Sequence, residues 1–145
     1  MRMIHERIEV ATDPGISFHD VTESLHETIA RHHLRNGFLV ISSRHTTTAL
    51  LVNEAEPRLL EDIKDFLGTL VPASAYYRHN DIHLRDCLPD EPENAHSHIA
   101  AMLLSRSEVV PVADGRFDLG RWQSILLVEL DGPRHRSLGL LLCGE

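Results

Sequence analysis

A chain of 145 residues, 42% hydrophobic and 25% charged, is sized for a single globular domain, 1–145, with a real core. Its net charge of −8, from 22 acids against 14 bases, argues against a general nucleic-acid surface, which needs clustered positive charge. No apolar run nears the roughly 20 residues that cross a bilayer. The opening MRMIHERIEV also lacks the apolar stretch of a signal peptide, so a cytoplasmic address without a membrane partner is expected.

Residues 3–11 alternate as a first strand, and "HDVTESLHETIARHHLRNG" (19–37) follows as a helix. Val21, Leu25, Ile29 and Leu34 recur at helical spacing, Gly37 is the stop, and His26, His32 and His33 share no face and read as solvated. "FLVISS" (38–43) and "TTTALLVN" (46–53) are strands, and the three residues "SRH" between them predict a hairpin. The next helix, in "EPRLLEDIKDFLGTLVP", starts at Pro57 behind a Glu56 cap. Its apolar face is Leu59, Leu60, Ile63, Phe66 and Leu67, and Gly68 and Pro72 end it.

Residues 73–93 form a long irregular stretch whose two tyrosines and two histidines suggest function. A third helix over 94–105 opens on Asn94 as cap, with Ile99, Met102 and Leu103 as its buried stripe and His96 and His98 flanking it. "SEVVPV", "RWQSILLVEL" and "SLGLLLCG" close the chain as strands, joined through "ADGRFDLG" and "DGPRHR". The order β-α-β-β-α-loop-α-β-β-β with tight connections predicts mainly antiparallel pairing with helices outside, the α+β class.

Chemistry must come from few residue types. Cys87 and Cys143 lie far apart, which argues against a disulfide framework or a cysteine zinc site. Lys64 is the only lysine and falls on the polar face of its helix, so anion binding rests on arginine. Histidine, at 11 residues, is the unusual abundance.

Four clusters stand out. His96 and His98 lie in a first helical turn, where free N–H groups favour an anion, or they are two imidazoles on a wet surface. His45 stands at the hairpin corner, and Glu54 ends the following strand. Asp62 edges toward the interior in register with Leu59 and Phe66, although Glu54 and Asp62 also suit plain dipole stabilisation of a helix start. Tyr76, His79, His83 and Asp86 occupy the irregular stretch, where the histidines with nearby acids could help hold a metal. Arg134 and Arg136, alternate residues entering the last strand, point to one face as a phosphate clamp or a surface pair.

"HTTTALLVNE", the helix with Asp62, "YRHN", "SHIAAML" and "SEVVPVADGRFDLGRWQSILLVELDGPRHRSLGLLLCGE" closely resemble the YjbQ family over essentially the whole chain. The most specific part is Ser107–Ile125, with Gly115, Gly120, Trp122 and Gln123 in the family's places and Arg121 where the family usually has threonine. Members are described as secondary thiamine-phosphate synthases. The resemblance implies a mainly antiparallel β-sandwich core with about three helices on the outside, forming a homotrimer with sites near subunit interfaces. It maps recurring polar positions onto His45, Glu54, Asp62, His79, His98, Glu129 and Arg134, with Arg136 close behind, and so selects His98 over His96.

The implied reaction joins an aminopyrimidine methyl diphosphate to a thiazole phosphate and expels pyrophosphate. Arg134, Arg136 and Gln123 would hold phosphate, Glu54 and Asp62 would hold Mg²⁺, and His45, His79 and His98 would move protons. The same residues leave two alternatives open. In one, the three histidines bind a transition metal such as zinc and act on another phosphorylated metabolite. In the other, the protein is a metal- or ligand-binding trimer without turnover.

Overall fold

The computed structural model describes residues 1–145 as eight strands and three α-helices. They are β1 (Arg2–Ala11), β2 (Gly15–Asp20), α1 (Thr22–Arg31), β3 (Gly37–Ser43), β4 (Thr48–Asn53), α2 (Pro57–Leu70), α3 (Ala95–Leu103), β5 (Ser107–Ala113), β6 (Arg116–Phe117), β7 (Ser124–Gly132) and β8 (His135–Gly144). Two short 3-10 turns, Arg78–Asn80 and Ile82–Leu84, interrupt the loop before α3. Every strand pairing is antiparallel, in sheets ordered β1-β8-β3-β5-β6 and β2-β7-β4. The fold is α+β. No helix is long and apolar enough to cross a membrane.

Side-chain alternation builds three layers. Leu39 and Ile41 of β3, Val110 and Val112 of β5 and Leu138, Leu140 and Leu142 of β8 face Leu50, Ile125 and Leu127 of the smaller sheet, and Leu25 and Ile29 of α1 join this main core. The other face of the smaller sheet packs Ala49, Val128 and Leu130 against Leu67 of α2 and Ala100 of α3. The three-stranded sheet is therefore the middle layer. The outer face of the five-stranded sheet stays open, with Met3 63% and Val109 62% exposed.

Burial on both faces explains why the strand pairing departs from the sequence expectation. "TALLV" and "ILLVEL" are near-continuous apolar runs, suited to a middle sheet rather than to one-sided hairpins. The expected hairpin of 38–43 with 46–53 does not form, because β3 pairs with β5 and β8 while β4 pairs with β7, so "SRH" carries the chain from one sheet to the other. Likewise β5 pairs with the two-residue β6 instead of β7, and β7 and β8 lie in different sheets. β2 and β6 were not expected. His19 and Asp20 end β2 against β7, and α1 begins only at Thr22.

Local signals hold up better. Pro57 opens α2, and the Glu56 carboxylate accepts the Leu59 N–H at 2.6 Å. Gly68 does not stop this helix, which runs to Leu70 and leaves Phe66 exposed. In α3 the buried side is Ala95, Ser97 and Ala100, not the expected Ile99, Met102 and Leu103. Small residues let α3 sit close on β7, where the Ser97 hydroxyl donates to the Leu130 carbonyl at 2.6 Å.

Candidate active site

Along β7 the residues Ile125, Leu127 and Glu129 turn to the main core, and opposite them on β8 stand Leu140, Leu138 and Arg136. The apolar stripes of both sheets thus run out at the same end, and there Glu129 meets Arg136. Glu129 is 0% and Arg136 6% exposed. Arg136 Nε donates to Glu129 Oε2 at 2.7 Å and Nη2 to Oε1 at 2.6 Å, a two-pronged pair. The Thr12 hydroxyl (2.7 Å) and the Asp131 N–H (2.8 Å) complete the carboxylate's shell. Burial alone would raise the Glu129 pKa, but the Arg136, Asp131 and Thr12 hydrogen bonds pull it below the ordinary carboxylate value. Arg136 Nη2 also donates to Thr47 Oγ1 at 2.8 Å. Its Nη1 takes no protein acceptor.

Two further elements close over this end. The Asn80 side chain, from the first 3-10 turn, accepts the Ala95 N–H at 3.1 Å and so caps α3. Asn94, the expected cap, instead donates its side-chain amide to Asp131 at 2.8 Å. This clamp sets His79 against His98, whose rings stand 4.9 Å apart, edge to face. Burial, reinforced by the neighbouring His79, lowers the His98 pKa below the usual imidazole value. Arg134 Nη2 donates to the Asp131 carboxylate at 2.9 Å, and Arg85 Nη1 donates to the His79 carbonyl at 3.0 Å.

A cavity of about 340 Å³ lies among His79, His98, Arg85, Arg134, Arg136 and Asp131, and no hydrophobic residue lines it. Glu129 neutralises Arg136 and Asp131 neutralises Arg134, whereas Arg85 is bonded only to a carbonyl. Glu91 is the other carboxylate on the wall.

Four expected site residues therefore come together: His79, His98, Arg134 and Arg136, with Glu129 beneath them. The remaining ones sit elsewhere in the single chain. His45 is not on the cavity wall, and its Nε2 accepts the Ser137 N–H at 2.8 Å, its pKa lowered by burial and by Arg136. Glu54 borders a separate hollow with Arg121 and Trp122, where the Arg121 guanidinium lies 4.7 Å from the Trp122 ring centre. Asp62 is exposed on α2, and Gln123 folds back to accept the Gly120 N–H at 2.8 Å. Of the irregular stretch, Tyr76 donates to Asp81 at 2.6 Å, while His83 and Asp86 are exposed. His26 packs on Phe117 with ring centres 4.4 Å apart, and His32 bonds Glu6, so neither is simply solvated.

No group of three or more His, Cys, Asp or Glu side chains gathers closely enough to hold a metal. Neither His45, His79 and His98 nor Glu54 and Asp62 form a complete donor set within one chain. Arg85, Asn80, Thr47 and Asp131 had escaped the sequence reading. Asp131 carried a signal, since it continues the Ile125, Leu127, Glu129 alternation, but Arg85 carried none.

The family model described as "UPF0047 protein YjbQ-like" matches residues 6–145. The chain belongs to this family. It is 39% identical to a UPF0047 protein of Methanothermobacter thermautotrophicus, over 100% of this chain and 95% of the relative. It is 34% identical to the UPF0047 protein YjbQ of Escherichia coli O157:H7, over 86% of this chain and 87% of the relative. The crystal structure of a hypothetical protein from Aeropyrum pernix K1 superposes with a TM-score of 0.88 at 39% identity, covering 98% of this chain and 99% of that one. A YbjQ-like protein of unknown function from Sulfolobus solfataricus P2 gives 0.87 at 32% identity, covering 99% of both. The UPF0047 chain thus shares both sequence and fold with these relatives over nearly its full length.

Proposed function

We propose that this protein binds a phosphorylated small metabolite at the charged end of its sandwich and acts on it by proton transfer through His79 and His98. One observation carries the reading: Arg136 is 6% exposed, fixed on Glu129 and Thr47, makes no hydrogen bond to protein through Nη1, and lines a cavity walled mostly by charged and polar residues. A buried guanidinium held at fixed geometry is a preorganised partner for phosphate oxygen. Arg134 and Arg85 supply further donors from the rim.

The paired imidazoles support the chemical half of the proposal. His98, held below the usual imidazole pKa by burial and by His79, is neutral at pH 7 and suited to take a proton. The His79 ring stands 4.9 Å from it, edge to face, so both imidazoles border the same cavity. A thiamine-phosphate synthase-like transferase step would use both features, with arginine stabilising the departing pyrophosphate and the imidazoles hydrogen-bonding or exchanging protons around it. Magnesium, where used, would supply charge neutralisation on the diphosphate.

Calorimetric titration with pyrophosphate tests binding, and turnover of the pyrimidine diphosphate and thiazole phosphate tests the transferase step. Wild type is expected to bind pyrophosphate, and Arg134→Ala to bind it about tenfold more weakly, as loss of one charge-assisted contact implies. His98→Asn should bind it and turn nothing over. Absence of pyrophosphate binding by wild type overturns the proposal. Binding without turnover removes the transferase step and leaves a ligand-binding protein.

A further inference from the structure

The uncovered face of the five-stranded sheet has a charge pattern unlike the rest of the chain. The strand registers place His5, Arg7 and Glu9 of β1, Gly139 and Leu141 of β8 and Val40 and Ser42 of β3 on that face, with Arg7, Gly139 and Ser42 in one cross-strand row. Arg44 follows the end of β3. Two arginines, His5 and His135 thus share a face with one acid, Glu9, in a chain whose net charge is −8.

Gly139 leaves a hollow of about 310 Å³ between the arginines. A Cβ built there would meet the Arg44 Cδ at 3.8 Å, so the arginine stem already flanks the space. His5, Arg7, Ser42 and Arg44 line the hollow and none of their side chains makes a hydrogen bond or ion pair within the chain, while Glu6, the one acidic residue on its wall, is already engaged by Arg31 and His32. Arg31, Arg35, Arg134 and Arg136, in contrast, are each paired with a carboxylate. Beside the donors, half-buried Leu141 and Val40 form an apolar shelf in the next cross-strand row.

We propose that this hollow is a second binding site, for a small organic oxyanion whose carboxylate or phosphate head sits between Arg7, Arg44 and Ser42 and whose apolar body lies on Leu141 and Val40. Guanidinium forks and a hydroxyl suit either head. A concave site with an apolar wall and a few convergent donors suits a ligand of that size. The site lies on the opposite side of the main core from α3 and does not depend on the function proposed above.

Amide NMR titrations of the full chain with phenyl phosphate, benzoate and inorganic phosphate test it. Phenyl phosphate and benzoate separate the two heads, and inorganic phosphate reports the head without an apolar body. Shifts are expected at the Gly139, Ser42 and Leu141 amides. Binding should weaken about tenfold in Arg7→Ala and in Arg44→Ala, both exposed positions, as loss of one charge-assisted contact implies. It should vanish in Gly139→Leu, whose Cβ meets only ordinary contacts, and persist in His98→Asn. Three results overturn the proposal. The probes leave these amides unmoved, the double Arg7→Ala/Arg44→Ala variant binds as wild type does, or sedimentation shows the face buried between copies of the chain, with Arg44→Glu dissolving the assembly.

Discussion

Replacing Glu129 by glutamine keeps the shape of the side chain and removes its charge. Oε1 accepts the Asp131 N–H at 2.8 Å and Arg136 Nη2 at 2.6 Å, while Oε2 accepts the Thr12 hydroxyl at 2.7 Å and Arg136 Nε at 2.7 Å. Wherever the amide nitrogen of glutamine lands, it turns N–H toward an Arg136 donor, and Arg136 loses its counter-charge in a site that is 6% exposed. Removing one partner of a buried pair costs about 3–5 kcal/mol, a large share of the ~5–15 kcal/mol that holds a domain folded. Urea denaturation at pH 7, followed by far-UV circular dichroism, should return that loss for Glu129→Gln and a similar one for Arg136→Met. The two substitutions together should cost less than their sum by at least ~2 kcal/mol, because no unpaired charge then remains. The folded double variant should still lose pyrophosphate binding. A Glu129→Gln loss below ~1 kcal/mol, or strict additivity, would refute the reasoning.

Acid should weaken the fold through His45. Burial and Arg136 hold its pKa below 6.5, and Nε2 must stay unprotonated to accept the Ser137 N–H. The unfolded chain therefore binds the proton more readily, and the contribution is complete above 6.5 and lost as pH falls toward the folded value. Glu129 has the same sign in a lower window, below 4.5. A Tm–pH curve that is shallower in His45→Gln than in wild type checks this, and identical curves exclude it. Asn80→Ala removes the cap on α3 and should cost about 1 kcal/mol in urea denaturation. It should also weaken pyrophosphate binding, because His79 precedes it, and unchanged affinity would detach the clamp from the site. Glu56→Ala, remote from the cavity, should cost roughly 0.5–1 kcal/mol by loss of the Leu59 N–H acceptor and leave calorimetric affinity unchanged.

What the sequence disclosed follows the range of each interaction. The start of α2 was readable because Glu56, Pro57 and Leu59 are neighbours and the cap is local. Strand partners were not, because pairing is long-range and three of the shortest connections join strands of different sheets or a strand too brief to notice. In the site, residue type, period and family likeness pointed to His79, His98, Arg134 and Arg136, and the fold brings these four to one cavity. His45, Glu54 and Asp62 had the same credentials, but one chain does not bring them to that cavity. Arg85 shows the converse. Only the geometry reveals that Arg134 and Arg136 already have carboxylate partners, which leaves Arg85 as the cation on the wall without one.

The cavity floor is also the end of the core, and this couples ligand to fold. Glu129 continues the stripe of Ile125 and Leu127, and Arg136 continues that of Leu140 and Leu138, so the charged pair occupies the position where one more apolar layer would have closed the sandwich. An apolar replacement there is often neutral or stabilising, so stability alone gives no reason for a buried arginine with a spare Nη1. A ligand supplies one. An oxyanion accepting from Nη1 binds the folded chain and not the unfolded one, which adds about 2.7 kcal/mol at a hundredfold excess over Kd. Wild type should therefore gain Tm with pyrophosphate, and the Glu129→Gln/Arg136→Met protein should gain none. An equal gain in both would mean that the anion sits elsewhere.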